Sequence, residues 1–237
     1  MNTADKQDWL CVCSIINIKG RVGQNQYGQN ILLETAPDII SHIMNEELLP
    51  SGADDIVAQN EEAYSSWKYA FTVASKKISS KKLFENISSV SPYIPHYNNL
   101  GEFSFDVIKK SYNLDDIESS TRIEASDCIS WSYKRSKVEE IYTSIELKYK
   151  IDYATDEFQE TTGAINIDDT DILPVGNTYT RDYYGLEGDD NTTLVIDDDR
   201  GKYIRDPETA NNFVRWMLFW HCNSHLLITV RLPLKYI

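Results

Sequence analysis

A change of period near the end of the chain constrains the fold more than any other feature. Between Asp206 and His221 apolar residues recur at helical spacing, with Ala210, Phe213, Val214, Met217, Leu218 and His221 on one stripe. Asp206 is suited to cap this helix and Pro207 to open it, where a missing N–H costs nothing. Asn223 is the expected left-handed stop, since Asn tolerates positive φ better than most residues. The period then falls to two. Leu226, Ile228, Val230 and Leu232 point one way and Leu227, Thr229 and Arg231 the other, until Pro233 removes a ladder donor. The implied unit is a helix packed on a sheet, and it carries no recognisable chemistry.

The remaining segments read in the same way. Residues 8–18 (DWLCVCSIINI) predict a buried strand and residues 19–30 a loop rich in Gly, Gln and Asn. Pro37 opens a helix with Ile39, Ile40, Ile43, Met44 and Leu48 buried, His42 beside that stripe, and Pro50-Ser51-Gly52 as its end. Residues 53–66 predict a polar loop with one helical turn, and Trp67 to Val73 a strand. Ser79 or Ser80 caps a second helix with Leu83, Phe84, Ile87 and Val90 inward. Tyr93 to Tyr97 and Glu102 to Ile108 flank Asn98-Asn99-Leu100-Gly101 and predict a hairpin, with Phe103, Phe105 and Val107 on its buried side. A polar link, Leu114 to Ser126, leads to an alternating strand over Ile129 to Tyr133. A longer strand follows, with Ile141, Thr143, Ile145, Leu147, Tyr149, Ile151 and Tyr153 on one face and Glu146, Lys148 and Lys150 on the other. Residues 156–199 predict a long excursion from the sheet. The expected fold is α+β, an antiparallel β-barrel or sandwich with a few packed helices. It divides into an α+β lobe over 1–110 and a barrel-like region over 111–237.

At 237 residues the chain is long enough to bury a sizeable core, and 41% hydrophobic residues with 15 Tyr and 5 Trp place it among globular proteins. The net charge of −14 argues against binding nucleic acid through phosphates, although Lys76, Lys77, Lys81 and Lys82 cluster locally. From Asp152 to Asp199 there are 14 carboxylates against one Arg, so nearly the whole imbalance sits there. Cys11, Cys13, Cys128 and Cys222 do not form a disulfide framework for a chain of this size. MNTADKQDWL lacks the basic and apolar regions of a secretory signal, and no apolar run approaches the roughly 20 residues that cross a bilayer. The sequence therefore predicts a protein made in a cytoplasm, with no membrane anchor.

Each candidate for chemistry has a plainer reading. His221 and His225 bracket Cys222 at a spacing that suggests zinc, but a helix ending near Asn223 need not put both imidazoles on one face. The tracts Asp168-Asp169-Thr170-Asp171 and Asp197-Asp198-Asp199 suggest calcium. The second places Asp197, Asp199 and Glu208 at first, third and twelfth positions of a calcium loop, yet Gly201 and Lys202 fail the fifth and sixth. A solvated acidic loop is the favoured reading. Gly20-Arg21-Val22-Gly23 lacks the third Gly of a dinucleotide fingerprint, and Cys128 or Cys222 with His42 or His96 makes no evident nucleophile pair. The sequons at Asn86 and Asn191 carry no weight without a signal peptide. No catalytic, cofactor-binding or metal-ligating residue is assigned, and no cofactor.

The segment Tyr203-Ile204-Arg205, taken as a strand end, the helix start DPETA, the Trp220-His221 close and the strand LLITVRLPLKYI resemble the tail-hub, or tail-tip, proteins of tailed bacteriophages. The resemblance extends through WKYAF (Trp67 to Phe71), SSKKLFENIS (Ser79 to Ser88), the hairpin around Gly101 and ELKYKIDYATD (Glu146 to Asp156), over roughly residues 30 to 237. These motifs are structural, so they point to a family more than to a mechanism. The resemblance implies a non-enzymatic virion protein, assembled in the host cytoplasm, that forms a trimer or ring linking the tail tube to baseplate, tip or fibre proteins. It implies that Ile129 to Tyr153 and Leu226 to Leu232 build the ring, while residues 156–199 face its lumen or an adjoining protein. An acidic lumen would let DNA pass without phosphate contacts, and an outward-facing acidic segment would sink that idea. Members of that family continue past LPLKY and begin earlier, so the resemblance implies a fragment, a split product or a minimal hub with an unpaired edge. The alternatives are a tail-associated glycan or peptidoglycan hydrolase, which needs two carboxylates of unequal pKa, and a glycan- or receptor-binding module. The latter would cluster Tyr179, Tyr183 and Tyr184 on an exposed loop.

Overall fold

The computed structural model describes residues 11–12, 22–24, 30–48, 62–72, 79–97, 101–109, 112–118, 122–169, 183–186 and 193–233. Its fold is α+β, built from several small, mostly antiparallel sheets with packed helices, and none of those sheets closes into a barrel among the described residues.

The first strands are short: β1 (Cys11–Val12) pairs with β4 (Phe71–Thr72), and β2 (Val22–Gln24) with β3 (Asn30–Leu32). Part of the expected glycine-rich loop is thus one arm of a hairpin. The rest of the 8–18 segment, the Pro50-Ser51-Gly52 stop and Gly20-Arg21 lie outside the described residues. Helix α1 (Ala36–Ile43) starts where Thr35 accepts the Asp38 N–H at 3.4 Å and Pro37 occupies the first turn. Ile39, Ile40, Ile43 and Met44 are buried as their spacing predicts, but the helix widens into a π-type turn over Met44–Leu48 that leaves Leu48 exposed. Tyr64, in the predicted helical turn, is buried and donates its hydroxyl to Ile108 O at 2.7 Å.

Of the segment predicted as a strand over Trp67 to Val73, only Phe71–Thr72 is strand among the described residues. Trp67, Tyr69, Ala70 and Phe71 are all buried, an apolar plug without alternation, and Tyr69 forms one isolated bridge with Ile204. Helix α2 (Ser80–Ser88) is capped by Ser79, which accepts the Lys82 N–H at 3.2 Å, and it buries Leu83 and Ile87. The hairpin of β5 (Tyr93–Tyr97) and β6 (Phe103–Val107) has the predicted place and register, with Gly101 at φ 81°. Of Phe103, Phe105 and Val107 only Phe105 is buried, together with Tyr93, which stands opposite Val107 on the same face. The predicted polar link includes a short helix, α3 (Leu114–Glu118).

The central strand is β8 (Ser144–Asp152). On one side it pairs with β9 (Glu157–Thr161) and β10 (Ile165–Asn166), and on the other with β11 (Thr193–Ile196), the last of these parallel. Its alternation is as read: Ile145, Leu147, Tyr149 and Ile151 are buried, while Glu146, Lys148 and Lys150 face outward. Both ends of the 156–199 segment therefore belong to the sheet. A single excursion is excluded, because Glu157 to Thr161 and Thr193 to Ile196 satisfy the edges of β8. The stretch before the last helix is likewise a 3₁₀ turn over Asp199–Lys202, not a strand: Asp198 accepts the Arg200 N–H at 3.0 Å and tightens the backbone.

Helix α4 (Pro207–His221) behaves as predicted at its start. Asp206 accepts the Thr209 N–H at 2.8 Å, and Ala210, Phe213, Val214, Met217 and Leu218 are buried. Its end does not need a left-handed residue. Cys222 closes it in the right-handed region, its N–H bonded to Leu218 O at 2.9 Å, and Asn223 has no positive φ. The helix packs on β8. The core is one cluster that joins α1, α2 and the β5–β6 hairpin to β8, β11 and α4. Ala70 N–H to Tyr203 O at 3.0 Å and Lys68 N–H to Thr209 Oγ1 at 2.9 Å tie its two halves.

Candidate functional site

The strand after α4, β12 (Leu226–Arg231), does not join that core. It pairs antiparallel with β7 (Ser130–Arg135), and among the described residues neither strand pairs with any other. The register opposes Leu226 to Arg135, Ile228 to Tyr133 and Val230 to Trp131, so these six share one face. Leu227, Thr229, Arg231, Ser130, Ser132 and Lys134 share the other. One face is thus apolar apart from Arg135 and the other polar and basic apart from Leu227, close to the pattern of a sheet with one buried side. Yet all twelve residues are exposed: Trp131 at 57%, Tyr133 at 64% and Ile228 at 56%. The helix packs on a sheet as expected, but α4 gives its apolar stripe to β8 rather than to the strand that follows it. Phe219 and Trp220, in the last turn of α4, are also exposed.

The ribbon is held firmly where it leaves the body. His225 N–H donates to Ser136 Oγ at 2.8 Å, and Ser136 N–H to His225 O at 2.9 Å. The His225 ring stacks on Trp220 with centroids 4.5 Å apart, and its Nε2–H donates to Trp220 O at 2.7 Å. Tyr184 receives the Ser224 N–H at 3.2 Å and donates its hydroxyl to Ser224 Oγ at 3.1 Å. On the ribbon, Trp131 and Tyr133 lie 6.0 Å apart with ring planes 17° from parallel.

The sequence candidates for metal chemistry do not converge. His225 is committed to Trp220, while His221 is half-buried against Tyr142, with ring centroids 5.9 Å apart. Burial holds the His221 imidazole below its usual range, and the His225 and Arg200 charges add to this. Cys222 is buried and donates to Phe219 O. Among the described residues no three His, Cys, Asp or Glu side chains gather as ligands.

The Asp197 to Asp199 tract is paired rather than free. Asp197 meets Lys148 at 3.8 Å, Asp199 meets Lys202 at 3.0 Å, and Asp198 holds Arg200 through Nε and Nη2. The tract is exposed, as the solvated-loop reading has it, and three cations from β8 and the 3₁₀ turn pair with it. Asp168 and Asp169 close the described part of the other tract; Asp171 and Tyr179 lie outside it. Tyr183 is exposed and packs edge-on against Tyr184 at 4.8 Å. Lys81 pairs with Glu85 at 3.9 Å, while Lys76 and Lys77 lie outside the described residues.

An open groove of about 520 Å³ lies between α2 and the 3₁₀ turn, lined by Lys82, Glu85, Asn86, Asp198, Arg200 and Tyr203 among others. Its lining side chains are interconnected, with Arg200 held by Asp198 and Asn86 donating to the Tyr203 hydroxyl at 3.0 Å. Two carboxylates have shifted pKa values. Hydrogen bonds from Lys150 and Tyr149 lower Glu160, and hydrogen bonds from Arg200 lower Asp198. Both shifts favour the ionised form, opposite to what a glycosidase acid needs.

The sequence held the signal for the ribbon, since its strands alternate cleanly, but not the fact that this chain leaves the apolar face bare. Among the described residues, no helix is long and apolar enough to cross a membrane. Compared with protein-family models, with curated proteins and with solved structures, the chain matches none.

Proposed function

We propose that this chain is a non-enzymatic structural subunit of a bacteriophage tail tip, hub-like, that assembles with copies of itself into a ring joining the tail tube to tip or fibre proteins. The motif set described above supports the family. The observation that carries assembly is the bare β7–β12 ribbon. A two-stranded ribbon is marginal in water, and one with an exposed apolar face and, among the described residues, no strand beyond either edge is an interaction element or an aggregation hazard.

The near-parallel Trp131 and Tyr133 rings favour a glycan-binding module as the second reading. Ile228 and Val230 opposite them offer no side-chain hydrogen bonds to a sugar, so an apolar protein partner fits better. The test is electron microscopy of the purified chain mixed with the tail proteins encoded beside it. The expected result is rings that cap tail tubes. A chain that ignores those proteins and binds or cleaves cell-wall glycan instead would overturn the reading.

A further inference from the structure

The register sorts the ribbon's side chains onto two faces. Trp131, Tyr133, Ile228 and Val230 lie on one, and Lys134 and Arg231 lie on the other with Ser130, Ser132 and Thr229. Both faces are exposed along their whole length, so the ribbon stands clear of the body. Residues 129–137 and 225–233 also include Arg135 and Lys137 and hold no carboxylate, a net of +4. Among the described residues none of these four cations pairs with a carboxylate, whereas Lys148, Lys150, Arg200 and Lys202 of the body all do.

We infer that, in the subunit not yet assembled, the ribbon docks flat on an anionic lipid bilayer. Trp131, Tyr133, Ile228 and Val230 enter the boundary between headgroups and acyl chains, the level that Trp and Tyr favour. A protein partner ends at the contact plane and would leave Lys134 and Arg231 in water behind the ribbon. A bilayer does not end there, because an element sunk about 5–10 Å into that boundary has lipid headgroups around its outer face as well. The long Lys134 and Arg231 side chains then reach anionic headgroups from the face opposite the apolar one. Strands of six residues extend about 20 Å, short of the roughly 9–11 residues of a spanning strand, so the ribbon lies on the membrane without crossing it. With the ribbon at +4 and the whole chain at −14, the body carries −18 and is repelled by the same surface, which leaves the ribbon as the contact. The ties at Ser136, Trp220 and Tyr184 hold the ribbon ready, so little ordering is required on docking. This inference goes beyond the ring reading and concerns the state before it, when no ring contact yet covers the apolar face. Ring contact and membrane contact use that one face and exclude each other.

The test is sedimentation of the full chain with vesicles of phosphatidylcholine alone, or of an equal mixture with phosphatidylglycerol, at protein concentrations low enough to keep it monomeric. Wild type should bind the mixed vesicles at least about tenfold more tightly than the neutral ones, and should lose that preference between about 0.05 and 0.5 M NaCl. Lys134→Glu with Arg231→Glu should weaken binding to mixed vesicles by about thirtyfold or more. Because those side chains face away from an apolar contact, the same variant should assemble like wild type when light scattering is read at higher concentration. Trp131→Thr with Ile228→Thr should lose both vesicle binding and assembly. All four positions are exposed, so circular dichroism should show an unchanged fold. A wild-type chain that ignores mixed vesicles, or a charge-reversed variant that binds them as wild type does, overturns the inference and leaves the ring reading standing. A charge-reversed variant that loses assembly along with vesicle binding puts Lys134 and Arg231 in the protein contact and also overturns the inference. A wild-type chain that binds mixed vesicles with the expected charge dependence yet never assembles supports the inference and overturns the ring reading.

Discussion

Gly201→Ala is expected to destabilise the fold by steric overlap alone. Gly201 is buried in the 3₁₀ turn after β11, and its φ is outside the left-handed region, so alanine meets no conformational barrier there. A Cβ at that position falls 2.0 Å from the Lys148 carbonyl oxygen and 2.9 Å from Phe158 Cε1. Phe158 meets it with a side-chain ring atom rather than with backbone. The carbonyl belongs to the backbone of β8, whose neighbours on both sides fix its position. Relief therefore requires the turn to lift away from the sheet, pulling on Tyr203 and Ile204, which are 8% and 0% exposed. Overpacking costs typically about 1–3 kcal/mol, and a backbone obstacle places this case at about 3. With a urea m-value of about 3 kcal/mol/M, the midpoint should fall by about 1 M. Gly163→Ala is the control: nothing lies within 4 Å of its Cβ, but φ is 67°, so its cost of about 1 kcal/mol is conformational. A Gly201→Ala midpoint within about 0.3 M of wild type would refute the steric reasoning, since it corresponds to only about 1 kcal/mol.

Asp206→Ala removes the acceptor for the Thr209 N–H and hydroxyl, both at 2.8 Å, and should cost about 1–2 kcal/mol in the same urea assay. Glu160 is lowered in the folded state, so its contribution is present above the ordinary glutamate value of 4.5 and is lost as pH falls through the folded value. Glu160→Gln should flatten the acid limb of a stability–pH curve below that value, and an unchanged limb would contradict the assignment. Tyr149 is pushed up to about 12, first by burial and then by Glu160, so stability should decline as pH rises from its ordinary value of 10.0 through that range. His221 is lowered from 6.5, so its ring protons should titrate in NMR below that value, and its contribution to stability should be lost as pH falls through the same window.

What was legible in the sequence was local. The cap and stripe of α4, the Ser79 cap of α2, the β5–β6 hairpin and the alternation of β8 each depend on residues within one turn or one strand. What was not legible depended on distant pairing. Glu157 to Thr161 and Thr193 to Ile196 read as part of an acidic loop, because their role is to satisfy the edges of a strand whose register no local pattern reveals. Asn223 offered a left-handed stop that Cys222 made unnecessary. For the ribbon, alternation in Trp131, Tyr133, Ile228 and Val230 announced an apolar face. It could not announce that the helix beside it would spend its own stripe on β8.

The most direct measurement of the central claim is the solution mass of the chain at low ionic strength, by light scattering, for wild type and the Trp131→Thr, Ile228→Thr variant. The account predicts a trimer or larger closed assembly for wild type and a folded monomer for the variant. A wild-type monomer, with its ribbon bare and the protein still soluble, would contradict it.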